Sequence, residues 1–285
     1  MANRNLCERL SEQEILLADG ATGTMLEQLG LRGARCAEEW NLSRPDMVGL
    51  IPHKYAEAGS DIVYTNTFGG NRLRLEHAGL ADKVYEVNAV GARIARDAVG
   101  EEVIVAGSMG PTGGFMEPLG SLTPELVCDV YAEQAEALVK NGVDALVLET
   151  FSALDEIEAA IQGVRSVANV PLITTMSFDT GGRTMMGVTP EDALHALLDA
   201  GSDVVGFNCG SDLETAMHVA EAMSKVAPPD AVLIAKPNAG KPRIRGEQVV
   251  WETTIDEMVQ SAKRFVALGH HQLQGEFTCL RKCHF

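Results

Sequence analysis

The stretch Val204-Val205-Gly206-Phe207-Asn208-Cys209-Gly210 runs apolar without alternation and then stops on an amide, a thiol and a glycine. A strand with one wet face alternates apolar and polar residues; a strand buried on both faces does not. The same grammar recurs along the chain. Apolar runs at Ile15–Ala18, Ile62–Tyr64, Val103–Ala106, Ala145–Leu148, Leu172–Thr175 and Val232–Ala235 end on Asp19-Gly20-Ala21-Thr22-Gly23, Thr65-Asn66-Thr67-Phe68-Gly69, Gly107-Ser108-Met109-Gly110, Glu149-Thr150-Phe151, Thr175-Met176-Ser177 and Lys236-Pro237-Asn238. Small, polar and reactive residues therefore collect where these runs finish.

Helical patterns lie between the runs. Thr123-Pro124-Glu125 and Thr189-Pro190-Glu191-Asp192 each combine a capping hydroxyl, a proline for the first turn and acid near the positive end of the helix dipole. Asp155–Val167 and Leu213–Val226 also read as helices. Strand then helix, repeated, builds a parallel sheet, either closed into a barrel or open and doubly wound. Seven runs and an eighth expected near residue 270 favour a single α/β domain, a (β/α)8 or TIM barrel, whose active face lies at the strand C-termini. An open dinucleotide-binding sheet wants a complete G-x-G-x-x-G turn, and Gly20-Ala21-Thr22-Gly23 is not one.

The 285 residues suit one such barrel. A formal charge of −17 argues against nucleic acid as a partner, since phosphate neutralisation needs clustered Lys and Arg. No window reaches the ~20 apolar residues of a membrane span, and the first residues lack the apolar core of a signal peptide. With 6 cysteines in a chain of this length, a disulfide scaffold is not expected. A cytoplasmic protein with reduced thiols is, and no membrane partner.

Cys209 can be a zinc ligand at a strand end or simply a small buried residue. Asp19 and Glu149, both at strand ends, can together hold an ammonium group by charge-assisted hydrogen bonds. Asn66 and Thr67 can contact a polar ligand or cap the next turn. The turn Gly20, Ala21, Thr22, Gly23 offers backbone N–H groups to a carboxylate or phosphate, although tight βα connections also use such turns. Lys236 reads as a Schiff-base amine or, more ordinarily, an ion-pair partner. His53, His77, His195 and His218 read as surface or packing residues, and Glu156 and Glu158 as acids on solvated helix faces.

Taken together, Leu17-Ala-Asp-Gly-Ala-Thr-Gly-Thr24, Thr65-Asn-Thr-Phe-Gly69, Gly107-Ser-Met-Gly-Pro-Thr-Gly113, Leu148-Glu-Thr150 and Gly206-Phe-Asn-Cys-Gly210 resemble the homocysteine S-methyltransferase family. Gly110-Pro-Thr-Gly113, Pro118-Leu-Gly120, Met176-Ser-Phe-Asp-Thr-Gly-Gly-Arg-Thr184 and Lys236-Pro-Asn-Ala-Gly240 are most similar to the homocysteine domain of cobalamin-dependent methionine synthase. The resemblance covers about residues 12–269. It implies a (β/α)8 barrel whose zinc binds the homocysteine sulfur and deprotonates it, so that a thiolate attacks an activated methyl group. By the same resemblance Cys209 is one zinc ligand, Asp19 and Glu149 hold the amino-acid ammonium, the Gly20–Gly23 turn takes the carboxylate, and Asn208 helps position the site. Cobalamin would come only through a partner protein or domain.

The family closes its last strand with Gly-Gly-Cys-Cys-Gly, which supplies two further zinc ligands. Here Phe265-Val-Ala-Leu-Gly269 is followed by a divergent tail, residues 270–285, that holds 3 of the 7 histidines and 2 of the 6 cysteines but no adjacent cysteine pair. Either the tail is foreign to the fold and the metal site is unbuilt, or Cys279 and Cys283 complete a set with Cys209, with His270, His271 or His284 as substitutes. Gln272 and Gln274 stand where apolar residues are expected, which bears on barrel closure. The expected function is zinc-dependent methylation of homocysteine from a corrinoid protein. Two alternatives stay open: a methyltransferase using a sulfonium or betaine donor, and a non-catalytic, vestigial amino-acid-binding barrel.

Overall fold

The unalternating runs become the strands of one parallel sheet. The computed structural model describes residues 6–12, 14–31, 36–179, 181–240, 242–245, 248–251 and 253–274. Its strands are β1 (Leu16–Ala18), β2 (Ile62–Tyr64), β3 (Ile104–Met109), β4 (Ala145–Phe151), β5 (Leu172–Met176), β6 (Val204–Cys209) and β7 (Val232–Pro237), then a hairpin of β8 (Pro242–Arg245) and β9 (Gln248–Trp251), and finally β10 (His270–Gln274). Neighbours from β1 to β7 pair in parallel in sequence order, and β10 pairs in parallel with both β7 and β1, closing the sheet into a barrel. Gln272 is in register with Leu16 and Gln274 with Ala18 in that closure, and the register against β7 shifts between His270 and Gln272. Helix comes after each of β1 to β6, and after β7 once the hairpin has intervened; the chain beyond β10 lies outside the described residues.

Two cores explain why the strands are apolar on both faces. Ile62 and Tyr64, Ile104 and Ala106, Ala145 and Val147 point inward and pack together, joined by Leu6 and Leu10 of the helix Leu6–Ser11. The intervening Val63, Val105, Leu146 and Leu148 pack outward against helices. Successive side chains on a strand face opposite ways, so burying both sets gives an unbroken apolar run. Gly206 is fixed by close approach: a Cβ there would collide with the Ile234 carbonyl oxygen on β7.

The caps read from the sequence are present. Thr123 Oγ1 accepts the Leu126 N–H at 3.3 Å and Thr189 Oγ1 the Asp192 N–H at 3.1 Å, each with proline opening the helix. His53, His77, His195, His218 and Glu158 are exposed as expected. Glu156 is not: its side chain is buried, with Oε1 accepting from the Thr112 N–H at 2.7 Å and the Thr112 hydroxyl at 2.6 Å. The loop after β3 folds over the first turn of the helix Leu154–Val167 and covers it. The hairpin β8–β9 carries no run that the sequence analysis registered.

Candidate functional site

Strand ends converge on one cleft of about 360 Å³. Gly20, Ala21, Thr22 and Gly23 after β1, Tyr64 to Asn66 of β2 and its end, Ser108 of β3, Glu149 and Thr150 of β4, Cys209 of β6 and Lys236 of β7 all line it. This is the face that a parallel barrel offers for chemistry. Ala37 and Glu38 add a wall that no local sequence pattern announces; Glu38 Oε1 accepts the Gly69 N–H at 2.6 Å and Oε2 the Cys36 thiol at 3.1 Å.

Glu149 is the centre of the polar network. Its Oε1 accepts the Ser108 hydroxyl at 2.5 Å and its Oε2 the Lys236 ammonium at 2.7 Å. The same ammonium stands 3.9 Å from the centroid of the Tyr64 ring, a cation–π contact. Lys236 is therefore an ion-pair partner here, the more ordinary of its two readings. Tyr64 is buried, and its hydroxyl has no hydrogen-bond partner among the described residues. Neither Ser108 nor Tyr64 was singled out from the sequence; both follow from strand register once β2, β3 and β4 are aligned.

Asp19 is fully buried at the end of β1, where Oδ2 accepts the Tyr64 N–H at 2.7 Å. Burial pushes its carboxyl up to about 7, against the opposing pull of Lys236 and that N–H. Burial likewise raises the Cys209 thiol, with Lys236 opposing and Glu149 adding to the rise.

Thr150 and Cys209 share an uncommon backbone. Their φ angles are +69° and +57°, in the left-handed region that side chains with a Cβ rarely adopt. Asn208 holds both. Its Oδ1 accepts the Thr150 N–H at 2.8 Å and the Thr175 hydroxyl at 2.7 Å; its Nδ2 donates to Thr150 Oγ1 at 2.7 Å and lies 3.2 Å from Cys209 Sγ. The Asn208 amide is thus spent on the protein, and the residue is buried behind the cleft wall. Thr67 is similar: its hydroxyl donates to the Ser108 carbonyl at 2.7 Å. Asn66 lines the cleft while its Nδ2 donates to the Ala37 carbonyl at 2.9 Å.

Zinc takes about four donors in a structural site and three protein donors in a catalytic one. Among the described residues no group of three or more His, Cys, Asp and Glu is arranged to hold a metal. Cys209 offers one soft donor at the cleft; Cys279, Cys283, His284 and the His271 side chain lie outside the described residues. His270 packs between Phe207 and Phe265, with ring centroids 6.0 and 6.1 Å away, and does not line the cleft. The described donors do not by themselves make a zinc site. Nor, among the described residues, is any helix long and apolar enough to cross a membrane.

Comparison with known proteins finds relatives by sequence and by fold. Methionine synthase of Mycobacterium leprae (strain TN) is 32% identical over 283 residues, covering 92% of this chain and 23% of that protein. Betaine–homocysteine S-methyltransferase 1 of Danio rerio is 29% identical over 230 residues, covering 79% of this chain and 56% of its own. The chain spans 23% of the length of the methionine synthases it matches. In fold, it is similar to the metallated form of the homocysteine methyltransferase MmuM from Escherichia coli, with a TM-score of 0.76 at 21% identity over 93% of this chain and 92% of that one. The sequence model of the family "Homocysteine S-methyltransferase" matches residues 16–275, and the chain belongs to that family.

Proposed function

We propose that this chain transfers a methyl group to the thiol of homocysteine, giving methionine, within a (β/α)8 barrel. The observation that carries the reading is the sharing of one cleft by Glu149 and Cys209. Glu149, already engaged by an ammonium at 2.7 Å, receives the substrate ammonium. Cys209, at the end of β6, marks the end where the sulfur lies. Asp19 adds negative charge when the ammonium arrives, and the Gly20–Gly23 turn and Asn66 line the walls. The transfer balances: the thiol proton passes to solvent, the S–CH3 bond forms from a sulfur lone pair, and the donor's bond to that carbon breaks with its electron pair staying on the donor. Apolar Leu26 and Phe68 line the same cleft and limit water there.

The donor proposed is a methylated corrinoid carried by a partner protein or domain. Its support is the motif resemblance to cobalamin-dependent methionine synthase and the 32% identity to a methionine synthase of which this chain spans 23%. Zinc is part of the same proposal, with Cys209 as one ligand; Cys279 and Cys283, the candidates for completing the set, lie outside the described residues. A reducing, cytoplasmic setting fits Cys36, Cys128 and Cys209, which are all free. The test is methionine formation from homocysteine with methylcobalamin, S-methylmethionine or betaine as the methyl source. Turnover with methylcobalamin supports the reading; turnover with S-methylmethionine or betaine alone replaces the corrinoid donor.

One observation favours a second reading, a barrel that binds an amino acid without catalysis: among the described residues Cys209 belongs to no group of three or more donors able to hold a metal. That reading wins if homocysteine raises the melting temperature while no donor gives methionine.

A further inference from the structure

A second depression opens beside the cleft. It holds about 190 Å³ between the loops that follow β3, β4 and β5, and Phe115, Met116, Met185 and Met186 are among its walls. That volume falls below the ~300–1,000 Å³ of small-molecule sites and suits a single side chain. Its rim is apolar and open to solvent: Phe115 is 54% exposed, Leu119 71% and Met185 72%. A folded domain seldom leaves such residues clustered unless something covers them.

The rim is held in shape before any partner arrives. The Glu117 N–H donates to the Leu122 carbonyl at 2.9 Å, the Gly120 N–H to the Met116 carbonyl at 2.9 Å and the Leu122 N–H to the Phe115 carbonyl at 3.2 Å. On the other side, the Thr184 hydroxyl ties the loop carrying Met185 and Met186 to the Ser152 carbonyl at 2.7 Å. Loops fixed in this way lose little entropy on binding.

Glu156 supplies the polar end. It is only 6% exposed, yet it lines the groove. Its Oε1 is occupied by Thr112 and Tyr131. Its Oε2 accepts no hydrogen bond from any described residue and is not sealed in the core, so it is the oxygen that faces the groove. Glu117 and Asp155 line the same space, and among the described residues no lysine or arginine does. Arg74 packs at Gly113 and Arg183 donates to the Gly187 carbonyl at 2.8 Å, both outside the lining. A largely desolvated carboxylate without a counter-charge is costly. A long basic side chain relieves that cost while laying its stem on the apolar walls.

We propose that this groove docks a protein partner, which inserts an arginine side chain onto Glu156 Oε2 and covers Phe115, Leu119, Met185 and Met186 with its own apolar surface. Arginine anchors seated in pockets and ringed by contacts that exclude water dominate the energetics of many interfaces. A second copy of this chain is a poor occupant, because a chain of net charge −17 brings like charge to an acidic groove. The groove adjoins the cleft: Thr150 lines the cleft and Ser152 the groove. The Gly110 N–H, one residue before Pro111 of the groove, donates at 2.7 Å to the carbonyl of Phe68, which lines the cleft. A partner seated there stands beside the thiol acceptor and, resting on the homocysteine reading, is the protein that delivers the methyl group.

The test titrates the whole chain, isotope-labelled at its methionine methyls, with three peptides: acetyl-Leu-Arg-Phe-amide, its citrulline counterpart and acetyl-Gly-Arg-Gly-amide. The NMR signals of Met116, Met185 and Met186 report binding in the groove. Wild type should bind the Leu-Arg-Phe peptide at least about 10-fold tighter than the citrulline peptide, the scale of one charge-assisted hydrogen bond. Glu156→Gln keeps an acceptor for Thr112 and should bring that ratio to within about 2-fold. Leu119→Ser, at an exposed position where folding is not at stake, should weaken the Leu-Arg-Phe peptide at least about 3-fold and leave acetyl-Gly-Arg-Gly-amide unchanged. No saturable binding, equal binding of arginine and citrulline peptides, or an unchanged ratio in Glu156→Gln overturns the proposal. Equal binding of the two arginine peptides assigns the groove to a free small cation, and signals that move on diluting the protein alone assign it to a second copy; either overturns it. Methionine formation enters none of these readouts, so the homocysteine reading stands or falls separately.

Discussion

Asn208 on β6 reaches across β5 to hold Thr150 on β4 at two points, accepting its N–H at 2.8 Å and donating to its hydroxyl at 2.7 Å. Both hydrogen bonds fall on a residue with φ of +69°, where a β-branched side chain is strained. The strain sits beside Glu149, at the point where the β4–β5 register slips between Leu148 and Phe151. Asn208→Ala leaves the Thr150 N–H and the Thr175 hydroxyl without their acceptor and should cost about 3 kcal/mol of stability. Urea unfolding measures it; a cost below about 1 kcal/mol would show that the left-handed turn holds itself.

Glu156 and Glu158 differ by two residues and should differ sharply in effect. Glu156→Ala removes the acceptor for both the Thr112 N–H and its hydroxyl and should cost about 2–3 kcal/mol. Exposed Glu158→Ala should stay within about 0.5 kcal/mol. Equal effects of the two substitutions in thermal unfolding would contradict the buried placement.

These two acids also mark what a sequence discloses. Strands, caps and the strand-end positions of Asp19, Glu149 and Cys209 are written locally, in runs buried on both faces and in hydroxyl-proline-acid openings. Glu156 stands where a first-turn acid ordinarily faces water, and only the approach of the loop at Thr112 buries it. The Lys236–Glu149 pair is a contact between β7 and β4, 87 residues apart, and nothing in either segment announces the other. Glu38 lies between Cys36 and Trp40 in a stretch with no strand pattern, so its place on the cleft wall depends wholly on the fold.

Asp19 should make stability fall with rising pH. Its folded carboxyl titrates at about 7 against an ordinary 3.8, so between those values the folded protein keeps a proton that the unfolded chain has lost. The wild type should lose up to a few kcal/mol, on the order of 4, as pH rises through that window, and Asp19→Asn should flatten the curve. Ammonium binding favours the ionised carboxyl, so homocysteine affinity should increase as pH rises through about 7. A wild-type profile parallel to that of Asp19→Asn would contradict the shift.

Metal content tests the proposed zinc site at Cys209. Protein purified without added metal should carry about one zinc per chain, and Cys209→Ala should carry none. Absence of zinc from the wild type even after reconstitution would favour the binding-only barrel.

The central claim is that Glu149 receives the ammonium of homocysteine in the cleft that Cys209 also lines. Equilibrium dialysis with labelled homocysteine tests it most directly, comparing wild type, Glu149→Ala and the exposed-site control Glu158→Ala. The account predicts saturable binding to wild type, an unchanged dissociation constant for Glu158→Ala, and at least about 10-fold weaker binding for Glu149→Ala. Equal binding by wild type and Glu149→Ala would contradict it.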